Sequence, residues 1–161
     1  MRATLALVLT ACACGNDAPE VAEPEADLRA EVRLLQRAMT RDLVLLSLEE
    51  VEEAMAEDLP VRAAELLESG AIPASRRQAE RVAGLATHHP RAQALRDEAV
   101  ELLGERTRAL EAYQRALERG LVEDVTLLDA LSSQREAEEA IDAFLGRLEA
   151  IAPLRNGKNQ G

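Results

Sequence analysis

The sequence predicts an all-α fold over residues 26–152, arranged as an up-down-up-down four-helix bundle. Ala, Leu, Glu and Arg dominate this region, β-branched residues are few, and the whole chain has two aromatic side chains. Pro60, Pro90 and Gly120 divide it into four segments of similar length, because proline ends the preceding helix and glycine caps one. Each segment is about 45 Å long as a helix, and the short connections favour antiparallel neighbours.

The first segment, residues 26–58, carries apolar residues at spacings of three and four, which is typical of a core-facing helical stripe. These residues are Leu28, Val32, Leu35, Met39, Leu43 and Leu46, followed after a shift by Leu48, Val51 and Met55. The second segment, residues 60–88, is interrupted by the sequence Ser69–Pro73. We expect it to be kinked or split near Gly70–Pro73, giving either a bent helix or two short helices around a loop.

The third and fourth segments, residues 90–119 and 121–152, have the clearest apolar stripes. The third carries Leu95, Ala99, Leu102, Leu103, Leu110, Tyr113 and Leu117, and the fourth carries Leu127, Leu131, Ala137, Ile141, Phe144, Leu148 and Ile151. Arg106 and Gln134 fall within these stripes. Either they lie where a stripe edge turns to solvent, with the arginine head extended to water, or they form a buried polar layer lining a site.

The N-terminus has the pattern of a bacterial export signal. Arg2 precedes an apolar run of about nine residues, and a small residue then precedes Cys12. The sequence Leu9-Thr10-Ala11-Cys12 resembles the lipobox of bacterial lipoproteins. That resemblance implies a signal peptide over residues 1–11, lipidation of the Cys12 sulfur and a membrane lipid anchor. An uncleaved apolar N-terminus and an ordinary secretory signal are the alternatives, and the run is too short to span a bilayer.

Residues 12–25 are predicted to be the lipidated cysteine and a disordered tether. Two prolines and four acidic residues leave almost nothing for a core, so this segment cannot offset the entropy of ordering. A lipidated Cys12 would leave Cys14 without an intrachain disulfide partner, since the chain has two cysteines. Residues 153–161 are predicted to be a disordered tail.

The chain is strongly acidic, with 19 basic and 30 acidic residues and a net charge of −11. Such a charge repels phosphate, so nucleic acid is not an expected partner. The first helix nevertheless carries Arg29, Arg33, Arg37 and Arg41 at four-residue spacing, which we call the arginine face. It is interpreted as pairing with acidic residues of the fourth helix, or as a face for lipid headgroups or a partner. The acidic C-terminal half of the same helix is expected to pair with Arg115 and Arg119.

No residue pattern indicates catalysis or a metal site. His88 and His89 adjoin Pro90 in one loop, without the Glu-x-x-His spacing of di-iron bundles, and no cysteine lies in the helical region. We therefore expect neither an enzyme nor a bound metal or cofactor.

A second, shorter resemblance concerns architecture. The run from Met39 through Ala54, then Glu57-Asp58-Leu59 and Ala63-Ala64, is similar to the first hairpin of cytochrome c-prime type four-helix bundles. The Cys-x-x-Cys-His haem attachment sequence of that family is absent, so the resemblance implies the bundle and no haem. Met39 as an iron ligand would need His88 or His89 beside it.

Together these features predict an envelope lipoprotein whose helical domain faces the periplasm or the exterior and has a protein-interaction or structural role. Its partners would be the membrane, through the lipid anchor, and an unknown envelope protein. The alternative is a carrier that holds an apolar ligand or haem between its helices. A contiguous apolar pocket would favour the carrier, and a closed core with exposed apolar residues would favour the interaction role.

Overall fold

A computed structural model describes residues 24–40, 43–119 and 125–153. Every regular element in these ranges is helical, which confirms the all-α prediction. The elements are α1 (Pro24–Thr40), α2 (Leu43–Ala56), α3 (Pro60–Leu66), a π-helical turn (Leu67–Ala71), α4 (Ile72–Ala83), α5 (Pro90–Glu118) and α6 (Val125–Ile151). The predicted signal peptide, Cys12, most of the predicted tether and tail, and Arg41 lie outside the described residues.

The first predicted segment corresponds to α1 and α2, and α1 begins at Pro24, two residues before the predicted start. The apolar stripe is buried along α1, but Leu43 and Leu46 are 57% and 59% exposed, so their assignment to the core was wrong. The buried face of α2 begins instead at Val44 and continues through Leu48 and Val51. The inward direction changes because α1 packs against α4, α5 and α6, whereas α2 packs mainly against α3 and the π-helical turn.

The second segment contains a π-helical turn where the sequence predicts an interruption. The N–H of Ile72 donates to the carbonyl of Leu67, five residues earlier, and Pro73 follows with no N–H to donate. The wider turn accommodates the proline, and α3 therefore passes into α4 without the loop that was one of the two alternatives. The helix ends at Ala83 and not at residue 88, because Gly84 caps it and Pro90 holds His89 in an extended conformation.

Helix α5 has the most neighbours, since it packs against α1, α3, the π-helical turn, α4 and α6. It begins at Pro90 as predicted, and the side chain of His89 caps it by accepting from the N–H of Arg91. It ends at Glu118, while α6 begins at Val125 after a segment outside the described residues.

The apolar core consists of two clusters placed one after the other along the helices. One contains Leu28, Val32, Leu35, Met39, Val82, Leu103, Ile141, Phe144 and Leu148, and the other contains Val44, Leu48, Val51, Leu67, Ile72, Leu110, Tyr113, Leu117 and Leu127. Three buried polar side chains lie between the two clusters in sequence order, Ser75 and Gln78 on α4 and Arg106 on α5. We call these three residues the mid-level polar layer. The buried Gln36 lies on α1 between residues of the first cluster.

Two helical glycines allow a test of backbone packing. A methyl group added at Gly146 would meet nothing within 4 Å, whereas one added at Gly70 would lie 3.2 Å from the Ser47 Oγ. We expect Gly146→Ala to raise the free energy of unfolding by about 0.5–1 kcal/mol through the higher helix propensity of alanine. Gly70→Ala should raise the free energy of unfolding by less than this, or lower it, because Ser47 must move. Urea unfolding of the two variants checks this, and an equal gain at both positions would contradict the close approach of α2 to the π-helical turn.

Candidate functional site

The mid-level polar layer centres on Arg106, which is 0% exposed on α5. Its guanidinium hydrogen-bonds to the Gln78 side-chain oxygen of α4, and it lies 3.5 Å from the Glu138 carboxylate of α6. The side chain of Glu138 is 22% exposed, so this ion pair reaches from the core toward solvent. Of the two interpretations from the sequence, extension of Arg106 to water is wrong and a buried polar layer is correct. Gln134, the other polar residue in the stripes, is half-buried.

Gln78 joins the polar layer to α1. Its amide nitrogen donates to the backbone carbonyl of Met39 at 2.6 Å while its oxygen accepts from Arg106. One glutamine thus uses both ends of its amide to connect α1, α4 and α5. Gln78 was not among the sequence predictions, because no apolar stripe had been recognised in its segment. Its position three residues after Ser75 and four before Val82 was the available signal.

Three further hydrogen bonds are formed by buried or half-buried polar side chains. Ser75 Oγ and Thr107 Oγ1 are 2.8 Å apart, and the Thr107 hydroxyl donates to the carbonyl of Leu103. On α1, the Gln36 amide donates to the Glu149 carboxylate of α6 at 3.0 Å. The chemistry these groups support is the fixing of helix positions by paired donors and acceptors. A hydroxyl nucleophile beside a histidine base is not formed by Ser75 and its described neighbours.

Tyr113 lies on α5, seven residues after Arg106, and belongs to the second cluster. Burial raises the pKa of its phenol above the ordinary value of 10.0, and the negative charge of Glu52 on α2 raises that pKa further. The phenol therefore ionises only at a higher pH than that of an exposed tyrosine.

The histidine pair lies at the end of the bundle where α1 and α5 begin. The carboxylate of Glu31 accepts from the backbone N–H groups of His88 and His89, at 3.0–3.1 Å. Glu31 thus supplies a negative charge at the N-terminus of α5, where the helix dipole favours it. Met39 is eight residues further along α1, about 12 Å away by helical rise, so these histidines and Met39 do not converge on one site.

In the described part of the arginine face, Arg29 and Arg37 are exposed on α1 and Arg33 is half-buried. Arg29 is 3.5 Å from Glu25 on the same helix, whereas Arg33 and Arg37 form no ion pair with any described residue. The expected pairing with α6 is therefore wrong for these three arginines within the described ranges. Arg41 lies outside those ranges, so its pairing stays a prediction.

The acidic half of the first segment is also without the partners that the sequence suggested. Glu49 and Glu53 are exposed on α2, and within the described part of the chain neither forms an ion pair. Arg115 of α5 instead lies 3.9 Å from Glu111 on its own helix. The two charged halves thus present opposite charges outward on consecutive helices.

Large apolar side chains are exposed at several surface positions. They are Leu34, Leu43, Leu45, Leu46, Leu59, Val61, Val125 and Leu128. The described residues also border open clefts with volumes of about 340 to 550 Å³, and four of them each include charged side chains in their lining. The largest of these four is bordered by Asp27, Glu31 and the histidine pair. These clefts are open to solvent, whereas a site for a buried apolar ligand is enclosed.

The described residues form neither a metal site nor a membrane-spanning helix. They contain no group of three or more His, Cys, Asp or Glu side chains placed to hold a metal ion. Within the same ranges, no helix has the length and apolar character needed to cross a membrane. Comparison with known proteins found no matching family model, no similar curated protein and no similar solved structure.

Proposed function

We propose that this chain is a bacterial envelope lipoprotein, anchored through lipid on Cys12, whose helical domain binds another protein or has a structural role. The observation that carries the proposal is the sequence Leu9-Thr10-Ala11-Cys12 after an apolar run, which resembles a lipobox. The domain would face the periplasm or the exterior, on a tether formed by the residues after Cys12. In this proposal the protein is not an enzyme and binds neither nucleic acid nor a cofactor.

The helical domain is proposed to be an up-down-up-down bundle. Contacts between α5 and α6 support this order, because Glu98 pairs with Arg147 while Arg106, further along α5, pairs with the earlier Glu138. Contacts between α4 and α5 run in reverse order in the same way, from Arg76 with Glu111 to the Leu85 carbonyl with Arg96. Neighbouring helices with reversed contact order lie antiparallel, as short connections favour.

The interaction role is favoured over the carrier by the distribution of apolar residues. In the described part of the chain, the two core clusters are filled by buried side chains, the open clefts include charged residues in their linings, and eight large apolar side chains are exposed. A carrier of an apolar ligand or haem instead needs an enclosed pocket lined mainly by apolar side chains. Native mass spectrometry of the protein purified from membranes tests this choice, and a stoichiometric apolar ligand or a haem absorption band would favour the carrier.

The anchor is tested by replacing the two cysteines separately in cells given a fatty-acid probe. Cys12→Ser should abolish labelling and release the domain from the membrane fraction, because serine has no thiol for lipid transfer. Cys14→Ser is the matched control and should remain labelled. Continued labelling of the Cys12→Ser protein would contradict the lipobox, and the opposite behaviour of the two variants would move the anchor to Cys14.

A further inference from the structure

Three arginines follow one side of α1. Residues four apart on an α-helix differ by only about 40° around its axis, so Arg29, Arg33 and Arg37 form a continuous row. Arg29 lies 3.5 Å from Glu25 on the same helix. Arg33 and Arg37 form no ion pair with the residues that the structure describes. Two positive charges of this row are therefore available to a partner.

Helix α4 adds two arginines beside the C-terminal end of this row. The Arg81 guanidinium donates to the backbone carbonyl of Ala38, the residue after Arg37, at 3.5 Å. Arg77 lies about one helical turn before Arg81, and both are exposed. Within the described ranges, neither forms an ion pair. We call Arg33, Arg37, Arg77 and Arg81 the α1–α4 basic surface.

Several acidic side chains around this surface are directed to other groups. Glu25 pairs with Arg29, as described above. Glu31 accepts from the backbone N–H groups of the histidine pair at the start of α5. On the side of α1 that faces α6, Glu149 accepts from the Gln36 amide at 3.0 Å. These three carboxylates therefore do not neutralise the four arginines.

The sign of the charge is thus locally the opposite of that of the whole chain. Glu80 is the acidic residue of α4, and four arginines against this one glutamate leave a charge of +3. The whole chain has a net charge of −11. At about 0.1 M ionic strength the Debye length is about 10 Å, so acidic groups on distant faces of the domain act weakly at this surface. The surface therefore attracts anionic groups.

We propose that the α1–α4 basic surface binds the anionic headgroups of a phospholipid bilayer, with the axis of α1 parallel to the membrane plane. Lipid phosphates form an extended array, and a guanidinium donates two parallel hydrogen bonds to one phosphate. A row of arginines along a helix therefore matches such an array. Leu34, next to Arg33 and 49% exposed, adds an apolar side chain at the same interface.

This contact rests on the lipid anchor of the proposed function. Pro24, where α1 begins, lies 12 residues after Cys12, and a chain of that length spans at most about 40 Å. An anchor at Cys12 would therefore keep the start of α1 within this distance of the bilayer. Tethering raises the local concentration of headgroups, so a surface of modest affinity is sufficient.

Co-sedimentation with vesicles tests the surface without the anchor. The full 161-residue chain is made by cell-free synthesis without lipidating enzymes. The vesicles contain phosphatidylcholine alone or phosphatidylcholine with about 30% phosphatidylglycerol, which supplies the anionic surface. Binding should be stronger with phosphatidylglycerol and should fall between about 100 and 500 mM NaCl, because salt screens exposed charges. The apolar run near the N-terminus is common to all variants, so the difference between the two vesicles measures the effect of charge.

The variant Arg33→Gln/Arg37→Gln/Arg81→Gln should bind phosphatidylglycerol vesicles at least about tenfold more weakly. Each basic residue near an anionic surface strengthens binding by about fivefold, and half-burial of Arg33 reduces its share. A matched control variant removes the same charge by glutamine substitution at three exposed positions elsewhere: Arg108, Arg119 and Arg135. Its binding should change by less than about twofold, since these positions lie away from the contact. Circular dichroism should show both variants to be as helical as the wild type.

A fluorescent label locates the contact. Ala30 is exposed on α1 beside the arginine row, and Ser133 is exposed on α6 in the cleft that Arg108 borders. Each is replaced by cysteine in a chain that carries Cys12→Ser and Cys14→Ser, and is labelled with an environment-sensitive fluorophore. On phosphatidylglycerol vesicles, the emission at Ala30 should shift to shorter wavelengths and be shielded from iodide. The label at Ser133 should remain accessible.

Absence of binding to phosphatidylglycerol vesicles at about 100 mM NaCl would overturn the proposal. Equal binding to both kinds of vesicle would do the same, because the apolar run would then account for it. A loss in the control variant as large as that in the Arg33 variant would assign binding to overall charge. Shielding at Ser133 in place of Ala30 would assign it to another face. None of these results depends on lipidation, so failure of the Cys12 prediction in cells is a separate outcome.

Discussion

Arg106→Ala should lower the free energy of unfolding by about 3–5 kcal/mol, the usual effect of removing one partner from a buried ion pair. The substitution leaves the Gln78 oxygen and the Glu138 carboxylate without the guanidinium, and it opens a cavity between α4, α5 and α6. Urea unfolding followed by circular dichroism measures the change. Partial exposure of Glu138 allows water to replace some of the lost contact, so the lower end of the range is expected.

Arg108→Ala is the matched control for Arg106, because it makes the same substitution two residues later on α5 at an exposed position. It should change the free energy of unfolding by less than about 0.5 kcal/mol. Equal effects at the two arginines would contradict the burial of Arg106 and, with it, the mid-level polar layer.

Leu148→Ala should lower the free energy of unfolding by about 2–5 kcal/mol. The side chain is 0% exposed and packs in the cluster that contains Phe144 and Ile141. The loss combines the hydrophobic transfer free energy of the removed atoms with the energy of the cavity left among neighbours that relax only partly.

Leu128→Ala provides the comparison on the same helix with the same chemical change. Leu128 is 67% exposed near the start of α6, and its truncation should alter stability by less than about 0.5 kcal/mol. If urea unfolding showed a larger loss of stability for Leu128→Ala than for Leu148→Ala, α6 would present a different face to the core.

The correct sequence predictions were those that depend on local chemistry. The abundance of alanine, leucine, glutamate and arginine predicted helix throughout, and the structure contains only helices in the residues it describes. Pro60 and Pro90 marked the starts of α3 and α5, since a missing N–H is tolerated in the first turn of a helix. Periodicity also identified the buried faces of α5 and α6, where Leu103, Leu110 and Leu148 are fully buried.

Burial at the junction of α1 and α2 was not predictable from periodicity. Leu43 and Leu46 continue the spacing of α1, yet they are exposed, because the two helices pack against different neighbours.

The sequence by itself determined the helical class, the helix starts at proline, the acidic charge and the likeness of residues 9–12 to a lipobox, because each follows from residue type and short-range spacing. Only the tertiary structure decided that Arg106 is buried, that Gln78 joins three helices, and that Arg33 and Arg37 form no ion pair with the described residues of α6. Whether a long polar side chain is exposed or buried depends on which helices surround it. Those neighbours are set by packing between residues far apart in the chain.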